Sequence, residues 1–259
     1  MILLQPLRII GTIEARMGSS RLPGKTMMPL PDGFPLLHHV VQRFRRCKSL
    51  DDVVVATTVE AGDDPIAQWC GENRVAVFRG SENDVLDRVT NAALANGADA
   101  IVQMGADSAY LDFELIDQLV AHYRSGQFDY VCNDLKLTYP LGIYGHVVRV
   151  EKLAAINARS DMSEKDRSDV VRYIWENAAH YAIDCIEAPD SLRCPELRLT
   201  IDYPEDMAQA HAVYRNFEEA MFTTPEIIAL YRCKPEIFAA TGKLVQQSAP
   251  FIASSPAAA

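Results

Sequence analysis

Short apolar runs alternate with amphipathic segments through the first 130 residues of the chain. Five of these runs predict buried strands, at residues 7–13, 52–58, 75–78, 99–104 and 128–132. Between them, apolar side chains recur at helical spacing, which predicts helices at 35–47, at 64–73, after Ser81 and after Asp112. Ser81 and Asp112 are the expected N-caps of the last two helices. Strands separated by helices of this length predict a doubly wound α/β domain with a mostly parallel sheet.

The pattern becomes less regular beyond residue 133. Further helices are predicted at 151–159, 166–176, 204–217 and from Thr224, and further strands after the two glycines of 139–150 and at 181–186 and 197–201. No linker rich in Gly and Ser interrupts the chain before residue 244, so we predict one domain over 1–243 with an insertion at about 134–180. The tail 244–259 is expected to be loosely ordered.

Composition narrows the class of protein. A chain of 259 residues buries enough surface to need no disulfide or structural metal, and its six cysteines form no CxxC pair, which argues against a zinc site or a redox dithiol. A formal charge of −10 argues against a nucleic-acid partner or an anionic membrane, although a local basic patch would still hold a small phosphate ligand. With no signal-peptide pattern and no apolar run of ~20 residues, a cytoplasmic location is expected.

The segment 14–25, EARMGSSRLPGK, follows the first predicted strand directly. In open α/β sheets, ligands bind beyond the carboxyl ends of the strands. The segment brings Arg16, Arg21 and Lys25 together with Gly18 and two serines in an otherwise acidic protein. Backbone N–H groups near a glycine approach an anion closely, and serine hydroxyls donate further hydrogen bonds. We therefore predict that this loop binds a triphosphate.

Two common nucleotide-binding motifs fit this loop poorly. Residues 24–26 match the end of the P-loop pattern GxxxxGK[ST], but its first glycine would stand at Ser19, and Pro23 removes one N–H group from the cradle. A GxGxxG dinucleotide fingerprint is absent from the sequence, which disfavours a dehydrogenase.

The string ARMGSSRLPGK resembles the signature loop of the cytidylyltransferase family that includes the CMP-Kdo and CMP-acylneuraminate synthetases. It is most similar to the branch of spore-coat polysaccharide biosynthesis cytidylyltransferases. Three further segments agree in order: VVVATT followed by DDPI at 63–66, FRGSENDVLDR at 78–88, and LRLTIDYPED at 197–206. The resemblance covers about residues 8–217. It implies the three-layer α/β/α sandwich of the nucleotide-diphosphosugar transferases, a Rossmann-like fold, with CTP as donor, Mg²⁺ as cofactor and a homodimer formed through about 134–180.

The resemblance also implies the nucleotide site. Arg16, Lys25 and Asp107 are expected to act in catalysis, and Asp107 and Asp202 to bind Mg²⁺. Both aspartates follow predicted strands, so parallel strands would bring them to one edge of the sheet. Asp202 has the alternative role of a charge partner at a helix N-terminus, and Ser81 with Asp84 that of a capping pair. The expected nucleotide-binding residues are Ala15, Arg16, Met17, Gly18, Ser20, Arg21, Lys25, Thr57, Arg79, Gly80, Ser81, Asp84, Val85 and Arg88.

The acceptor side departs from the family's pattern. The branch motif YPxGLDVEVF is here YPLGIYGHVV, and REHVTPYI is here RSDVVRYI, so acidic positions become Tyr144 and His146 and a histidine is lost. Together with two nearby arginines, these changes predict a small anionic acceptor such as a sugar acid, phosphonate or phosphate. An ordinary, partly buried histidine is the alternative role of His146. The expected acceptor-binding residues are Tyr139, Gly142, Tyr144, His146, Arg167 and Arg172.

These observations predict an enzyme of polysaccharide or phosphonate biosynthesis that transfers CMP from CTP to an anionic acceptor and releases pyrophosphate. Two alternatives remain open: a nucleotide-binding protein that has lost turnover, as the altered acceptor motifs would allow, and an enzyme that uses UTP or GTP. No general base is assigned, and none is needed if the attacking oxygen is already ionised.

Overall fold

A computed structural model describes residues 7–244 and shows, within them, one sheet of seven strands. The strands are β1 Ile9–Glu14, β2 Asp52–Thr58, β3 Ala76–Gly80, β4 Ala100–Gly105, β5 Tyr130–Cys132, β6 His146–Arg149 and β7 Ile183–Cys185. They lie in the order β3-β2-β1-β4-β6-β5-β7. Neighbours are parallel except at β6, which runs antiparallel to both β4 and β5. The mostly parallel sheet is therefore confirmed.

Helices cover both faces of the sheet. They are α1 Leu36–Arg46, α2 Asp64–Glu72, α3 Val85–Ala95, α4 Phe113–Ser125, α5 Val150–Asn157, α6 Glu164–Arg167, α7 Arg172–Glu176, α8 Pro204–Tyr214 and α9 Thr224–Cys233. Side chains alternate along a strand, so Ile9 and Ile13 of β1 face one apolar cluster and Ile10 faces the other. The first cluster includes α1, α4 and α8, and the second includes α3, α5 and α7. The three-layer α/β/α architecture is thereby confirmed.

A buried arginine ties one helical layer together. Arg43 of α1 is 0% exposed and donates hydrogen bonds to the carbonyls of Leu111, at 2.9 Å, and Phe222, at 2.8 Å. A third bond reaches the carbonyl of Ala220 at 2.7 Å. Burial of a donor is costly unless it is paired, and these three carbonyls pair the two terminal nitrogens of the guanidinium inside the apolar layer.

Two predicted elements are wrong. The helix predicted at 166–176 is broken into α6 and α7, because the Asp169 side chain accepts hydrogen bonds from the N–H groups of Val171 and Arg172 and so begins a new helix. The strand predicted at 197–201 is irregular, with a single bridge between Leu141 and Arg198. Its alternating apolar residues are buried in the first cluster without a partner strand.

One of the two predicted caps is misplaced. Asp84, not Ser81, caps α3 by accepting from the N–H group of Asp87 at 2.9 Å, while Ser81 accepts from Asp84 at 3.1 Å. α9 begins at Thr224, as predicted, and Thr223 before it forms a reciprocal capping box with Glu226. Asp112 caps α4 as predicted.

The predicted tail lies, apart from residue 244, outside the described residues. Among residues 7–244, no helix is both long enough and apolar enough to cross a membrane.

Candidate active site

Two cavities adjoin at the carboxyl ends of β1 and β4. The loop cavity, of about 240 Å³, is lined by residues of 14–26, by Val85 and Arg88 of α3, and by 105–107. The β6 cavity, of about 250 Å³, is lined by residues of 133–146 and 168–171 and by Thr200 and Asp202. Glu14, Arg21, Asp107 and Ser168 line both cavities. A molecule in one cavity would therefore meet a molecule in the other at these four residues.

At this junction, one lysine contacts two aspartates that are far apart in the sequence. The Lys25 ammonium lies 2.7 Å from the Asp107 carboxylate and 3.1 Å from that of Asp202, and it donates to the carbonyl of Ile201 at 2.6 Å. Arg21 adds a second ion pair to Asp202, at 2.7 Å. The structure thus brings the basic loop and both predicted aspartates to one point.

The charge state of Lys25 follows from these contacts. Burial by itself lowers the pKa of Lys25, but the carboxylates of Asp107 and Asp202 raise it by more, so the pKa lies above its ordinary value. The side chain therefore stays cationic at neutral pH.

Local hydrogen bonds hold the basic loop in shape. Gly24 has a φ of +74°, a left-handed conformation that suits glycine, and its N–H donates to the carbonyl of Met17 at 2.9 Å. The N–H of Met17 donates to Asp63 at 2.6 Å, and Asp63 is also hydrogen-bonded to the Thr58 hydroxyl. Asp63 was not among the predicted site residues, although it lies in the quoted DDPI segment.

Half of the predicted nucleotide residues line the loop cavity: Ala15, Arg16, Ser20, Arg21, Lys25, Val85 and Arg88. The other half do not: Met17, Gly18, Thr57, Arg79, Gly80, Ser81 and Asp84. Arg79 is taken up by an ion pair to Asp64 at 2.7 Å and a bond to the carbonyl of Thr58 at 2.8 Å. Arg88 is 2% exposed and donates to the carbonyl of Ser81, so it shapes the turn before α3.

The predicted acceptor residues also divide into two groups. Tyr139, Gly142, Tyr144 and His146 line the β6 cavity. Arg167 and Arg172 do not. Arg167 donates to Asn157 at 2.6 Å, and Arg172 lies 3.4 Å from Glu176 of its own helix. Both arginines therefore contact neighbouring residues and do not supply the positive charge that was expected in the β6 cavity. The predicted single helix is divided into α6 and α7, and each arginine lies in a different one of them.

A line of four polar side chains runs through the β6 cavity, and His146 is the one member that sequence reasoning had named as a site residue. Asp134 lies 2.9 Å from His146 Nε2, and His146 Nδ1 lies 2.9 Å from the Gln103 side-chain oxygen. The Gln103 amide nitrogen donates to Glu14. Burial by itself lowers the pKa of His146, but Asp134 outweighs it and the pKa is raised. Gln103 gave a sequence signal, as a lone polar residue in an apolar strand.

The donor set suits a metal ion that arrives with a phosphate ligand. Within residues 7–244 there is no group of three or more His, Cys, Asp or Glu that could hold a metal ion. Asp107 and Asp202 offer two carboxylates at one lysine. Magnesium is commonly held by one or two carboxylates together with substrate phosphates, so this pair fits Mg²⁺ bound with a triphosphate.

Fold and site together define a class, an α/β protein with a basic loop and paired aspartates beyond the ends of its strands. The family model described as Cytidylyltransferase matches residues 10–236. The chain belongs to the cytidylyltransferase family and is a CTP-dependent cytidylyltransferase. The resemblance seen in its motifs is confirmed.

Individual proteins agree with this assignment. The spore coat polysaccharide biosynthesis protein SpsF of Bacillus subtilis is 35% identical over 235 residues, which cover 88% of this chain and 95% of that protein. A 3-deoxy-manno-octulosonate cytidylyltransferase of an Anaeromyxobacter species is 36% identical over 121 residues, 46% of this chain and 48% of that one. The solved structure of a cytidylyltransferase from Leptospira borgpetersenii superposes with a TM-score of 0.84 at 27% identity, covering 94% of this chain and 100% of the other.

Proposed function

We propose that the protein transfers CMP from CTP to a small anionic acceptor and releases pyrophosphate. In this reaction an acceptor oxygen bonds to the α-phosphorus of CTP while the bond from that phosphorus to pyrophosphate breaks. The observation that carries the proposal is the Lys25 contact to Asp107 and Asp202 where the two cavities meet. The loop cavity would take the nucleotide and the β6 cavity the acceptor.

Three cations of the basic loop would bind the triphosphate. Arg16, Arg21 and Lys25 all line the loop cavity. Ion pairs to the aspartates hold Lys25 and Arg21 at the edge of this cavity, close to where negative charge would develop on the phosphates. Their proposed roles are to hold the phosphate oxygens and to stabilise that charge.

Asp107 and Asp202 would hold Mg²⁺. When bound, the ion neutralises phosphate charge and polarises the phosphate undergoing attack. Until then, Lys25 balances the two carboxylates and keeps them close to one another.

Two observations support an anionic acceptor despite the number of acids that line the β6 cavity. Asp107 and Asp202 are paired with Lys25, and Asp134 lies beside His146, so these carboxylates are largely neutralised by their own partners. The Anaeromyxobacter relative carries a name that specifies a sugar acid, 3-deoxy-manno-octulosonate. A carboxylate of the acceptor would meet Arg21 at the junction, since Arg21 lines both cavities.

Replacement of either aspartate by asparagine should lower the rate of pyrophosphate release from CTP by at least about 100-fold, the usual scale for loss of an electrostatic contributor. The assay pairs CTP with a panel of sugar acids, phosphates and phosphonates, and repeats it with UTP, GTP and ATP. Asp190→Asn is the matched control, because Asp190 is exposed and lines neither cavity.

Full rates in both Asp107→Asn and Asp202→Asn would contradict their assignment to the metal. Binding of CTP without pyrophosphate release on any acceptor would contradict the proposed reaction. Unfolding curves of each variant separate loss of chemistry from loss of fold.

A further inference from the structure

We propose that Glu14 is the general base of the transfer: its carboxylate takes the proton of an acceptor hydroxyl as that oxygen attacks the α-phosphorus. The inference rests on the proposed function and narrows it, because a base is needed only when the attacking group is a hydroxyl. A phosphate or phosphonate oxygen is already ionised at neutral pH and needs none.

The position of Glu14 carries this assignment. Glu14 is the last residue of β1, the strand that leads into the basic loop, and it lines both cavities beside Asp107. Among the described residues, the Gln103 amide is the one hydrogen-bond partner of its carboxylate. An ionised carboxylate has about four lone-pair sites for hydrogen bonds, so Glu14 keeps capacity to accept a proton from a bound hydroxyl.

Three further side chains fix the orientation of Glu14. Because the Gln103 nitrogen donates to Glu14, its oxygen is left to accept from His146 Nδ1, 2.9 Å away. Asp134 accepts from His146 Nε2 at 2.9 Å, which keeps the ring turned toward Gln103. His146 is 7% exposed and Gln103 is 9% exposed, so both have little freedom to reorient. Gln103 and His146 are thus positioning residues for Glu14.

The surroundings of Glu14 also suit a base that works near neutral pH. Burial raises the pKa of Glu14 to about 7, and the nearby carboxylates of Asp169 and Asp107 act in the same direction. Arg88 and the hydrogen bond from Gln103 act in the opposite direction. A general base is most effective when its pKa lies near the working pH. Glu14 becomes ionised as the pH rises through about 7, so the rate should rise over the same range.

The step balances in protons and electrons. The acceptor O–H bond breaks and its proton passes to the Glu14 carboxylate. The oxygen forms a bond to the α-phosphorus, and the bond from phosphorus to the bridging oxygen breaks, with its electron pair leaving on pyrophosphate. The protonated Glu14 returns its proton to solvent before the next turnover.

The test replaces Glu14 by glutamine, which keeps the size of the side chain and its acceptor for Gln103. With a hydroxy sugar acid as acceptor, Glu14→Gln should lower kcat by about 100-fold, the lower end for loss of a general base, and abolish the rise in rate near pH 7. The affinity for CTP should stay within about twofold of the wild-type value, since the proposal gives Glu14 no role in binding phosphate. Glu151→Gln, an exposed glutamate on α5, is the control and should match wild type in every respect.

A second variant tests the positioning role. Gln103→Leu removes a hydrogen bond that lowers the pKa of Glu14, so the midpoint of the rise in rate should move to higher pH. A merely structural role of Gln103 would lower the rate without moving that midpoint.

Three outcomes would overturn the assignment. They are a Glu14→Gln enzyme that keeps its rate and its pH profile, one whose CTP affinity falls about as far as its rate, and a wild type that accepts only phosphates or phosphonates. A wild type that binds CTP and releases no pyrophosphate with any acceptor would instead overturn the proposed function, and the inference with it.

Discussion

Replacement of Lys25 by methionine should lower the rate of pyrophosphate release by about 1000-fold, as expected when a preorganised cation is lost from the reacting phosphates. The same change should lower the free energy of unfolding by about 3 kcal/mol, because removing one partner of a buried ion pair leaves the other charges uncompensated. Lys25 is 9% exposed and contacts two carboxylates and the carbonyl of Ile201. Methionine is one atom shorter than lysine, so it keeps the unbranched apolar part of the side chain and removes the ammonium with its charge and hydrogen bonds.

The measurements are steady-state kinetics and urea unfolding, each with and without Mg²⁺. If Asp107 and Asp202 hold the metal, Mg²⁺ should restore part of the stability of Lys25→Met, since the ion would replace the lost ammonium as their counter-charge. Lys25→Arg keeps the charge and should cost less stability. A Lys25→Met enzyme that is as stable as wild type would contradict the ion-pair argument, and one with wild-type turnover would contradict its role in the reaction.

Most of the sheet could be predicted from the sequence because its strands are continuous apolar runs. β2 was predicted at its observed bounds, Asp52–Thr58. Apolar content does not reveal whether a partner strand is present, however, and the segment 197–201 is buried without becoming a strand. In 166–176 the hydrophobic pattern continues past Asp169, so the sequence predicted one helix. The structure has two, because the Asp169 side chain accepts backbone hydrogen bonds at the start of the second.

The convergence of Lys25 and Asp107 could also be anticipated, because they follow neighbouring parallel strands. That of Asp202 was implied by the family resemblance, since the segment before it, 197–201, is not the parallel strand that the sequence predicted. The contacts of the Arg167 and Arg172 side chains could not be anticipated, because they depend on where the predicted helix breaks. The contact from Gln103 to His146 depends on the register of β4 against β6, which pairs these two residues across an antiparallel ladder. Strand register between distant segments is a tertiary property that local patterning does not encode.

The β6 cavity depends on one close crossing of two segments. The N–H of Leu141 donates to the carbonyl of Leu197 at 2.8 Å, and the N–H of Leu199 donates back to Leu141 at 2.6 Å. Gly142 lies at this crossing with a φ of +102°. A Cβ atom there would lie 2.6 Å from the backbone carbon of Leu199 and 2.6 Å from the nitrogen of Thr200. The two segments therefore approach this closely only because residue 142 has no side chain.

Gly142→Ala should lower the free energy of unfolding by about 3 kcal/mol, since alanine is strained at positive φ and its methyl group also meets backbone that cannot turn aside. Because Thr200 and Asp202 follow the displaced backbone into the β6 cavity, KM for the acceptor should rise several-fold while the affinity for CTP changes less.

Gly33→Ala is the matched control for this substitution. Gly33 also has a positive φ, of +86°, but a Cβ atom there would have no neighbour within 4 Å. This variant therefore incurs the backbone strain alone, which we expect to cost about 1 kcal/mol. The difference between the two unfolding free energies measures the clash at the crossing. Equal losses in the two variants would show that the segments can separate freely, and an unchanged KM in Gly142→Ala would show that the crossing does not shape the acceptor site.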